Sequence, residues 1–148
     1  MSVEKAKNFV LKDQFGNDFE LYKNLDKKIL LIFYPKDKSL VCSRQLDNYQ
    51  KNIELFEAEG IRPVGINIES SGSHMSFCNS LNINFSLLSD EGQKVSKSFN
   101  ALNLFSVNKR KLVLVGNSGE ILYKKTVPGL IYVNAQKIIN ELRAKQII

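Results

Sequence analysis

Hydrophobic residues along this chain alternate between short uninterrupted runs and spaced stripes. Residues 29–34 form an apolar run, Ile-Leu-Leu-Ile-Phe-Tyr, that ends directly at Pro35. A run too short to span a membrane and rich in Ile, Phe and Tyr predicts a strand buried on both faces of a mainly parallel sheet. After a turn, apolar residues recur at gaps of four and three until Gly60 ends the pattern. This stripe predicts a helix whose buried face is formed by Cys42, Leu46, Tyr49, Ile53 and Phe56.

The rest of the pattern continues the alternation of strands and helices. Before the central strand it predicts a hairpin around Gly16-Asn17. After the Cys42 helix it predicts a strand at 61–68, a helix carrying Phe77 and Cys78, a short strand near 85–88 and a helix with Val95 and Phe99. The chain then continues with a loop at 100–109, a hairpin of strands 111–115 and 120–126, and a helix beginning after Asn134. That order predicts a thioredoxin-like α/β fold, in which helices flank a central mixed β-sheet preceded by an N-terminal β-hairpin. Residues 1–148 show no repeat or linker and are expected to form a single domain.

Composition places the chain among soluble globular proteins. Hydrophobic residues make up 43% of it and charged residues 24%, which is ordinary for such proteins. The N-terminal segment lacks the apolar core of a signal peptide, and no run approaches the length of a membrane span. We therefore expect a cytoplasmic protein, in which cysteines are kept reduced and more often take part in chemistry than in structural disulfides.

The excess of positive charge does not by itself indicate a nucleic-acid partner. Lys and Arg outnumber Asp and Glu by 21 to 15, but they are spread over the chain without an interleaved aromatic platform, so we expect no nucleic-acid binding. Two cysteines and one histidine without paired spacing cannot fill a zinc shell, so no metal site is expected either. The histidine, His74, is predicted to face solvent from a short helix and to have no role.

Cys42 is the first candidate for chemistry, because it lies in the first turn of the predicted helix. Unpaired backbone N–H groups and the positive end of the helix dipole favour a negative charge at that place. A thiolate is the nucleophilic form of cysteine. On position alone, an unreactive cysteine packed at a helix start is an equally good interpretation.

Pro35, Ser39 and Cys42 form the pattern Pro-x-x-x-Ser-x-x-Cys directly after the predicted buried strand. This pattern resembles the active-site motif of the peroxiredoxins, and the segment 34–37, Tyr-Pro-Lys-Asp, resembles their Q-type subfamily, the bacterioferritin comigratory proteins. The similarity covers almost the whole chain. It implies a thiol peroxidase without a cofactor, in which hydrogen peroxide or an organic hydroperoxide oxidises Cys42 to a sulfenic acid. It also implies thioredoxin or a similar dithiol as the reductant, and a monomer or weak homodimer.

Ser39 has two compatible interpretations. Cleavage of a peroxide needs a nucleophile and hydrogen-bond donors for the oxygen that leaves. The Ser39 hydroxyl could donate to the thiolate or orient the peroxide, and it could also cap the helix. Pro35 is assigned to the site through the motif alone.

The resemblance also assigns Arg110 to the site. Aligning the turn at Gly119 with the matching turn of the family places Arg110 on the arginine that peroxiredoxins use beside the reactive cysteine. A guanidinium there would favour the thiolate and donate to peroxide oxygens. Without the resemblance, Arg110 is better interpreted as part of a basic loop. The chain departs from the subfamily pattern at Lys109, Leu40, Val41 and Gln45.

Cys78 is expected to resolve the sulfenic acid. Many subfamily members carry a resolving cysteine five residues after the reactive one, where this chain has Asp47, and others carry it on the following helix, where Cys78 stands. Condensation of its thiol with the sulfenic acid would give a disulfide that dithiols reduce. We expect local unfolding to be needed before the two sulfurs meet. The competing interpretation is a buried cysteine without a redox role.

Two other functions remain open at this point. A catalytically degenerate thioredoxin-like module that binds partners or senses redox state would keep the fold and lose the activity through changes around Cys42. A dithiol oxidoreductase would need two cysteines one turn apart at the helix start, and residues 39–42 supply one. The dithiol oxidoreductase therefore ranks last.

Overall fold

A mixed β-sheet forms the centre of the fold. The computed structural model of the chain describes residues 3–128 and 130–148. The strands of these residues are Val10–Lys12 (β1), Asp18–Glu20 (β2), Lys28–Phe33 (β3), Ile61–Asn67 (β4), Ser86–Ser89 (β5), Arg110–Val115 (β6) and Ile121–Val127 (β7). They form one seven-stranded sheet in the order β2-β1-β5-β4-β3-β6-β7. β3, β4 and β5 run parallel and the other neighbours antiparallel, which confirms the predicted mixed sheet with its N-terminal hairpin.

Helices cover both faces of the sheet. They are Leu40–Lys51 (α1), Ile53–Glu57 (α2), Ser71–Leu81 (α3), Lys94–Ser98 (α4) and Ala135–Ala144 (α5), with a 3-10 helix at Leu21–Asn24. Buried apolar residues of α1, α2, α3 and α5 share one hydrophobic cluster, and those of α4 and the 3-10 helix share the other. The helix predicted from Cys42 to Phe56 is interrupted at Asn52, whose backbone leaves the helical region (φ −112°, ψ 24°) and whose side chain donates to the Asn48 carbonyl at 2.8 Å.

β3 is buried on both faces, as its unbroken apolar run predicts. The cluster on the α1 side contains Leu30, Ile32 and Tyr34, and the opposite cluster contains Ile29, Leu31 and Phe33. All six are 0% exposed. Successive side chains of a strand point to opposite faces, so such a run requires a cover on both sides of the sheet.

Three elements meet at the edge of the sheet where β3 ends. β3 leads through a turn into α1, and the parallel strand β4 leads into α3. β6 runs antiparallel to β3 with Lys111 opposite Phe33, so Arg110 begins β6 at this same edge. The carboxyl ends of neighbouring parallel strands lie at one edge of a sheet. The sheet therefore brings the helices of Cys42 and Cys78 and the side chain of Arg110 to one end of the molecule.

Candidate active site

Cys42 lies in the first turn of α1, where the helix is capped. The Ser39 side-chain oxygen accepts a hydrogen bond from the Cys42 backbone N–H at 3.4 Å, and the Ser39 backbone is extended (φ −68°, ψ 152°). Cys42 is 0% exposed, and Leu46 and Tyr49 continue the same buried face of the helix. The thiol is thus held out of bulk water at a helix end that favours negative charge.

The Ser39 hydroxyl is engaged with the backbone on both sides. It donates to the Lys36 carbonyl at 3.3 Å while its oxygen accepts from the Cys42 N–H, which confirms the capping role. A hydrogen bond from Ser39 to the thiolate or to a peroxide stays a prediction. Pro35 is half-buried and follows β3 at the start of this turn; its part in the chemistry also stays a prediction.

Arg110 reaches the Cys42 thiol from the neighbouring strand. Its Nη1 donates to Cys42 Sγ at 3.3 Å and to Gln45 Oε1 at 2.6 Å. Arg110 is 2% exposed, and a guanidinium keeps its positive charge in proteins. A permanent positive charge in contact with a buried sulfur favours the thiolate over the thiol. The structure thus brings together the two residues that the resemblance paired.

Gln45 orients Arg110 without adding charge. Its Oε1 accepts from Arg110, and its Nε2 donates to the Tyr49 hydroxyl at 3.1 Å. Tyr49 in turn donates to the Val133 carbonyl at 2.6 Å. Burial raises the pKa of Tyr49, although the Gln45 hydrogen bond and the Arg110 charge oppose the rise. The sequence prediction missed this chain of hydrogen bonds; the four-residue spacing of Gln45 and Tyr49, which puts them on one helix face, is the signal that indicates it.

Cys78 lies within α3 in the same hydrophobic cluster as Cys42. It is 4% exposed, and both cysteines are free thiols. Burial, followed by the negative charge of Asp37, raises the pKa of Cys78 to about 11. Cys78 is therefore a protonated thiol at neutral pH while α3 is folded, and its resolving role stays a prediction.

The prediction that His74 faces solvent is wrong. His74 is 0% exposed, with Nδ1 2.7 Å from Asp37 Oδ2 and Nε2 3.1 Å from the Leu88 carbonyl oxygen. The first turn of α3 packs between the turn after β3 and the end of β5, so this helix face is interior. The sequence does contain the signal, a single helical stripe formed by His74, Phe77, Cys78 and Leu81.

The basic segment 109–111 does not form an exposed patch. Arg110 is buried beside Cys42, and Lys111 is 7% exposed, with its Nζ donating to the Phe99 carbonyl at 2.7 Å. Burial, and then the nearby charges of Lys124 and Lys109, lower the pKa of Lys111. Within residues 3–128 and 130–148, no group of three or more His, Cys, Asp or Glu side chains could hold a metal ion. No helix in this part of the chain is long and apolar enough to cross a membrane.

Comparisons with known proteins agree with this geometry. The sequence model of the AhpC/TSA family matches residues 3–124. The chain is 36% identical over 127 residues to the chloroplastic Peroxiredoxin Q of Sedum lineare, covering 85% of this chain and 65% of that protein. It is 35% identical over 128 residues to the chloroplastic Peroxiredoxin Q of Populus jackii, covering 86% of this chain and 57% of that protein. The chain therefore spans less than two thirds of the length of these relatives.

A solved structure identifies the fold. The reduced 2-Cys peroxiredoxin of Plasmodium vivax matches with a TM-score of 0.88 at 24% identity, covering 97% of this chain and 94% of that chain. The predicted thioredoxin-like fold and the predicted resemblance to the peroxiredoxins are both confirmed. Because the family match extends over most of the sequence and includes Cys42 and Arg110, the chain belongs to the AhpC/TSA family.

Proposed function

We propose that this protein is a thiol peroxidase in which Cys42 reduces hydrogen peroxide and organic hydroperoxides. One observation carries the proposal: a buried thiol at a capped helix start lies 3.3 Å from the guanidinium Nη1 of the buried Arg110. An arginine in that position stabilises a thiolate before the reaction and a developing oxyanion during it. The relatives named Peroxiredoxin Q support the same activity.

In the first step, the Cys42 thiolate attacks one oxygen of the peroxide. The S–O bond forms as the O–O bond breaks, and the leaving oxygen takes up a proton to depart as water or an alcohol. Cys42 loses two electrons to the peroxide and becomes a sulfenic acid. Arg110 donates hydrogen bonds to the oxygen that gains negative charge, and the Ser39 hydroxyl, in the turn before the thiol, orients the substrate.

In the second step, Cys78 resolves the sulfenic acid. Its sulfur attacks Cys42 Sγ, the S–S bond forms as the S–O bond breaks, and the departing hydroxide combines with the Cys78 thiol proton as water. A reductant of the thioredoxin type then supplies two electrons and two protons and restores both thiols. The shared hydrophobic cluster supports this pairing, because it puts both cysteines on one face of the sheet.

The second step requires α3 to open locally. The raised pKa of Cys78, about 11, makes its folded surroundings unsuitable for a nucleophile, and opening exposes the thiol to water. We further propose that the protein works in the cytoplasm, where reducing conditions keep both thiols available. In this proposal it acts as a monomer or weak homodimer.

Peroxide consumption tests the proposal. Purified protein with a dithiol reductant should consume hydrogen peroxide, and Cys42→Ser should abolish turnover, because it removes the sulfur that Arg110 contacts. Cys78→Ser is the matched control and should still undergo the first oxidation, accumulating a sulfenic acid on Cys42 that mass spectrometry detects. Undiminished consumption by Cys42→Ser would show that the assignment is wrong.

A further inference from the structure

Asp37 lies at the centre of a buried polar cluster. Its Oδ1 accepts hydrogen bonds from the Tyr34 hydroxyl at 2.5 Å and from Asn67 Nδ2 at 3.1 Å. Its Oδ2 accepts from the Ser73 hydroxyl at 2.6 Å and lies 2.7 Å from His74 Nδ1. Burial would raise the pKa of Asp37, but the hydrogen bond and charge of His74, with the hydrogen bonds from Ser73 and Tyr34, outweigh burial and lower it. Four donors on one carboxylate thus hold it ionised.

His74 is the partner of this carboxylate on α3. Both of its ring nitrogens face oxygen atoms, those of the Asp37 carboxylate and the Leu88 carbonyl. The pair is buried, since the side chains of His74 and Asp37 are 0% and 2% exposed. Removing one member of a buried pair leaves an uncompensated charge and destabilises the structure around it.

The cluster ties the turn before α1 to the helix that carries Cys78. Asp37 belongs to that turn, whereas His74 belongs to the first turn of α3. Lys38 adds a second contact between the same segments by donating to Ser76 Oγ at 2.6 Å. His74 precedes Cys78 by four residues, so the two side chains lie on one face of α3.

Tyr34 shares one hydrophobic cluster with both cysteines. Burial raises the pKa of Tyr34 well above its ordinary value, and the negative charge of Asp37 and the hydrogen bond to it raise that pKa further. Its ring packs on Phe77 with the centroids 6.2 Å apart. Loosening the cluster therefore loosens the contacts between the two cysteine-bearing segments.

We propose that Tyr34, Asp37 and His74 form a latch that holds α3 against the turn before α1, and that release of this latch sets the rate at which Cys78 reaches oxidised Cys42. The three are positioning residues, because they act by holding Cys78 in its buried position. This inference rests on the proposed function, in which Cys78 resolves the sulfenic acid. While the latch is closed, Cys78 stays in its buried position, and the hydrogen bonds of the latch must break before the sulfurs can bond.

His74→Gln tests the latch, because glutamine keeps an N–H donor and loses the ring whose two nitrogens face Asp37 and Leu88. Reduced protein is mixed with hydrogen peroxide, quenched with an alkylating agent at set times, and analysed by mass spectrometry, which gives separate rates for the sulfenic acid and the disulfide. We expect disulfide formation to become about tenfold faster, the usual effect of losing a hydrogen bond to a charged group, while sulfenic acid formation changes by less than about twofold. Amide hydrogen exchange should accelerate in α3 and stay unchanged in α5.

Ser73→Ala and Ser80→Ala form a matched pair that keeps the test decisive if His74→Gln does not fold. Ser73 donates to Asp37 at 2.6 Å, whereas Ser80 is exposed on the same helix and donates to the Phe77 carbonyl at 2.8 Å. Ser73→Ala should speed disulfide formation about threefold or more and Ser80→Ala should leave it unchanged. A folded Ser73→Ala protein with the wild-type disulfide rate, or a slower His74→Gln protein, would overturn the latch.

Failure of the proposed function gives a different result. A wild-type chain that forms no sulfenic acid at Cys42 refutes the peroxidase itself. A wild-type chain that forms the sulfenic acid but no Cys42–Cys78 disulfide refutes the latch and leaves the peroxidase standing.

Discussion

The two cysteines of this chain share one hydrophobic cluster but differ in the charge beside each sulfur. Cys42 lies at the N-terminal end of α1, with Arg110 Nη1 3.3 Å from its sulfur. Cys78 lies within α3 in an apolar cluster, where burial and the negative charge of Asp37 raise its pKa to about 11. Positive surroundings favour a thiolate at Cys42, and apolar, negative surroundings favour a thiol at Cys78.

In the proposed mechanism, this difference sets the order of the two chemical steps. Oxidation is expected to begin at Cys42, the sulfur that Arg110 contacts. Cys78 is expected to act as a nucleophile when α3 opens, which would separate the resolving step in time from the peroxidatic step. Two equally ionised thiols would instead allow either sulfur to be oxidised first and would give mixed products.

Removal of Arg110 should have the largest effect, because it makes the surroundings of Cys42 resemble those of Cys78. Arg110→Ala should slow Cys42 oxidation by about 10²- to 10³-fold, the usual cost of losing a preorganised donor. It should also slow alkylation of Cys42 at neutral pH. Stopped-flow kinetics with peroxide and the rate of Cys42 alkylation measure these two effects.

Arg44→Ala is the matched control for this substitution. Arg44 is an exposed arginine on α1, and loss of an exposed charge should change either rate by less than about twofold. Equal effects of the two substitutions would mean that Arg110 acts through general charge and not through its contact with the sulfur.

The pH dependence of Cys78 alkylation tests the second of these two environments. In Cys42→Ser, alkylation of folded Cys78 should rise about tenfold per pH unit from about pH 7 to about pH 10, because its pKa is about 11. In the urea-unfolded chain the same rate should level off near about pH 8.5. Mass spectrometry of the alkylated protein gives both curves, and a folded-state curve that levels off near the unfolded one would contradict a desolvated Cys78.

The same pKa difference predicts how stability changes with pH. The folded pKa of Cys78 lies above the unfolded value, so the protonated thiol contributes stability that is complete below about pH 8.5 and is lost as the pH rises towards about 11. Chemical denaturation of Cys42→Ser should show this loss. Cys42→Ser with the added change Cys78→Ala should lack it.

Gln45→Glu should have a smaller effect, by placing a negative charge beside Arg110. A glutamate can still accept the hydrogen bond that Gln45 Oε1 accepts from Arg110 at 2.6 Å, but its charge disfavours the thiolate of Cys42. Oxidation of Cys42 should slow by about tenfold, which corresponds to about 1.4 kcal/mol in the activation free energy. Stopped-flow kinetics measure it.

Gln50→Glu adds the same charge to the same helix and serves as the control. Gln50 accepts from the Asn84 backbone N–H at 2.7 Å and lies in the last turn of α1, at the end opposite Cys42. The rate of Cys42 oxidation in Gln50→Glu should stay within about twofold of wild type. If Gln45→Glu were faster than wild type, the orientation of Arg110 would matter more than the charge beside it.

The part of this comparison that concerns Cys42 could largely be predicted from sequence, because it depends on neighbouring residues. A buried strand, a turn with Pro35, a cap at Ser39 and a helical stripe lie within one continuous segment. Arg110 is 68 residues away from Cys42, so spacing alone leaves it in a basic loop. Its place depends on the antiparallel pairing of β6 with β3, and the family resemblance was the means of predicting it.

The surroundings of Cys78, in contrast, could not be predicted from the sequence. The stripe that includes His74 indicates that one face of α3 is buried, but it does not indicate which acceptors lie opposite that face. Asp37 and Leu88 become those acceptors because the strand order β5-β4-β3 places the end of β5 and the turn after β3 on either side of the start of α3. Such long-range placement has no signature in local periodicity.

The smallest effects are expected at Ser39, which supports Cys42 through the backbone. Ser39→Thr keeps the hydroxyl and the cap, so Cys42 oxidation should change by less than about twofold. Ser39→Ala removes the acceptor of the Cys42 N–H, which should lower the free energy of unfolding by about 1 kcal/mol. It should also slow oxidation by about fivefold, because the first turn of α1 then holds the sulfur less firmly against Arg110.

Ser70→Ala separates the two consequences of losing a cap. Ser70 caps α3 in the same manner, accepting from the Ser73 N–H at 3.1 Å, so its removal should lower stability by the same amount of about 1 kcal/mol. Because that cap supports the helix of Cys78 and not that of Cys42, oxidation of Cys42 should keep its wild-type rate. Urea denaturation and single-turnover oxidation of both variants give the two quantities. If Ser70→Ala slowed Cys42 oxidation as much as Ser39→Ala does, the loss of rate would reflect general stability, and the local link between the α1 cap and the reactive sulfur would be wrong.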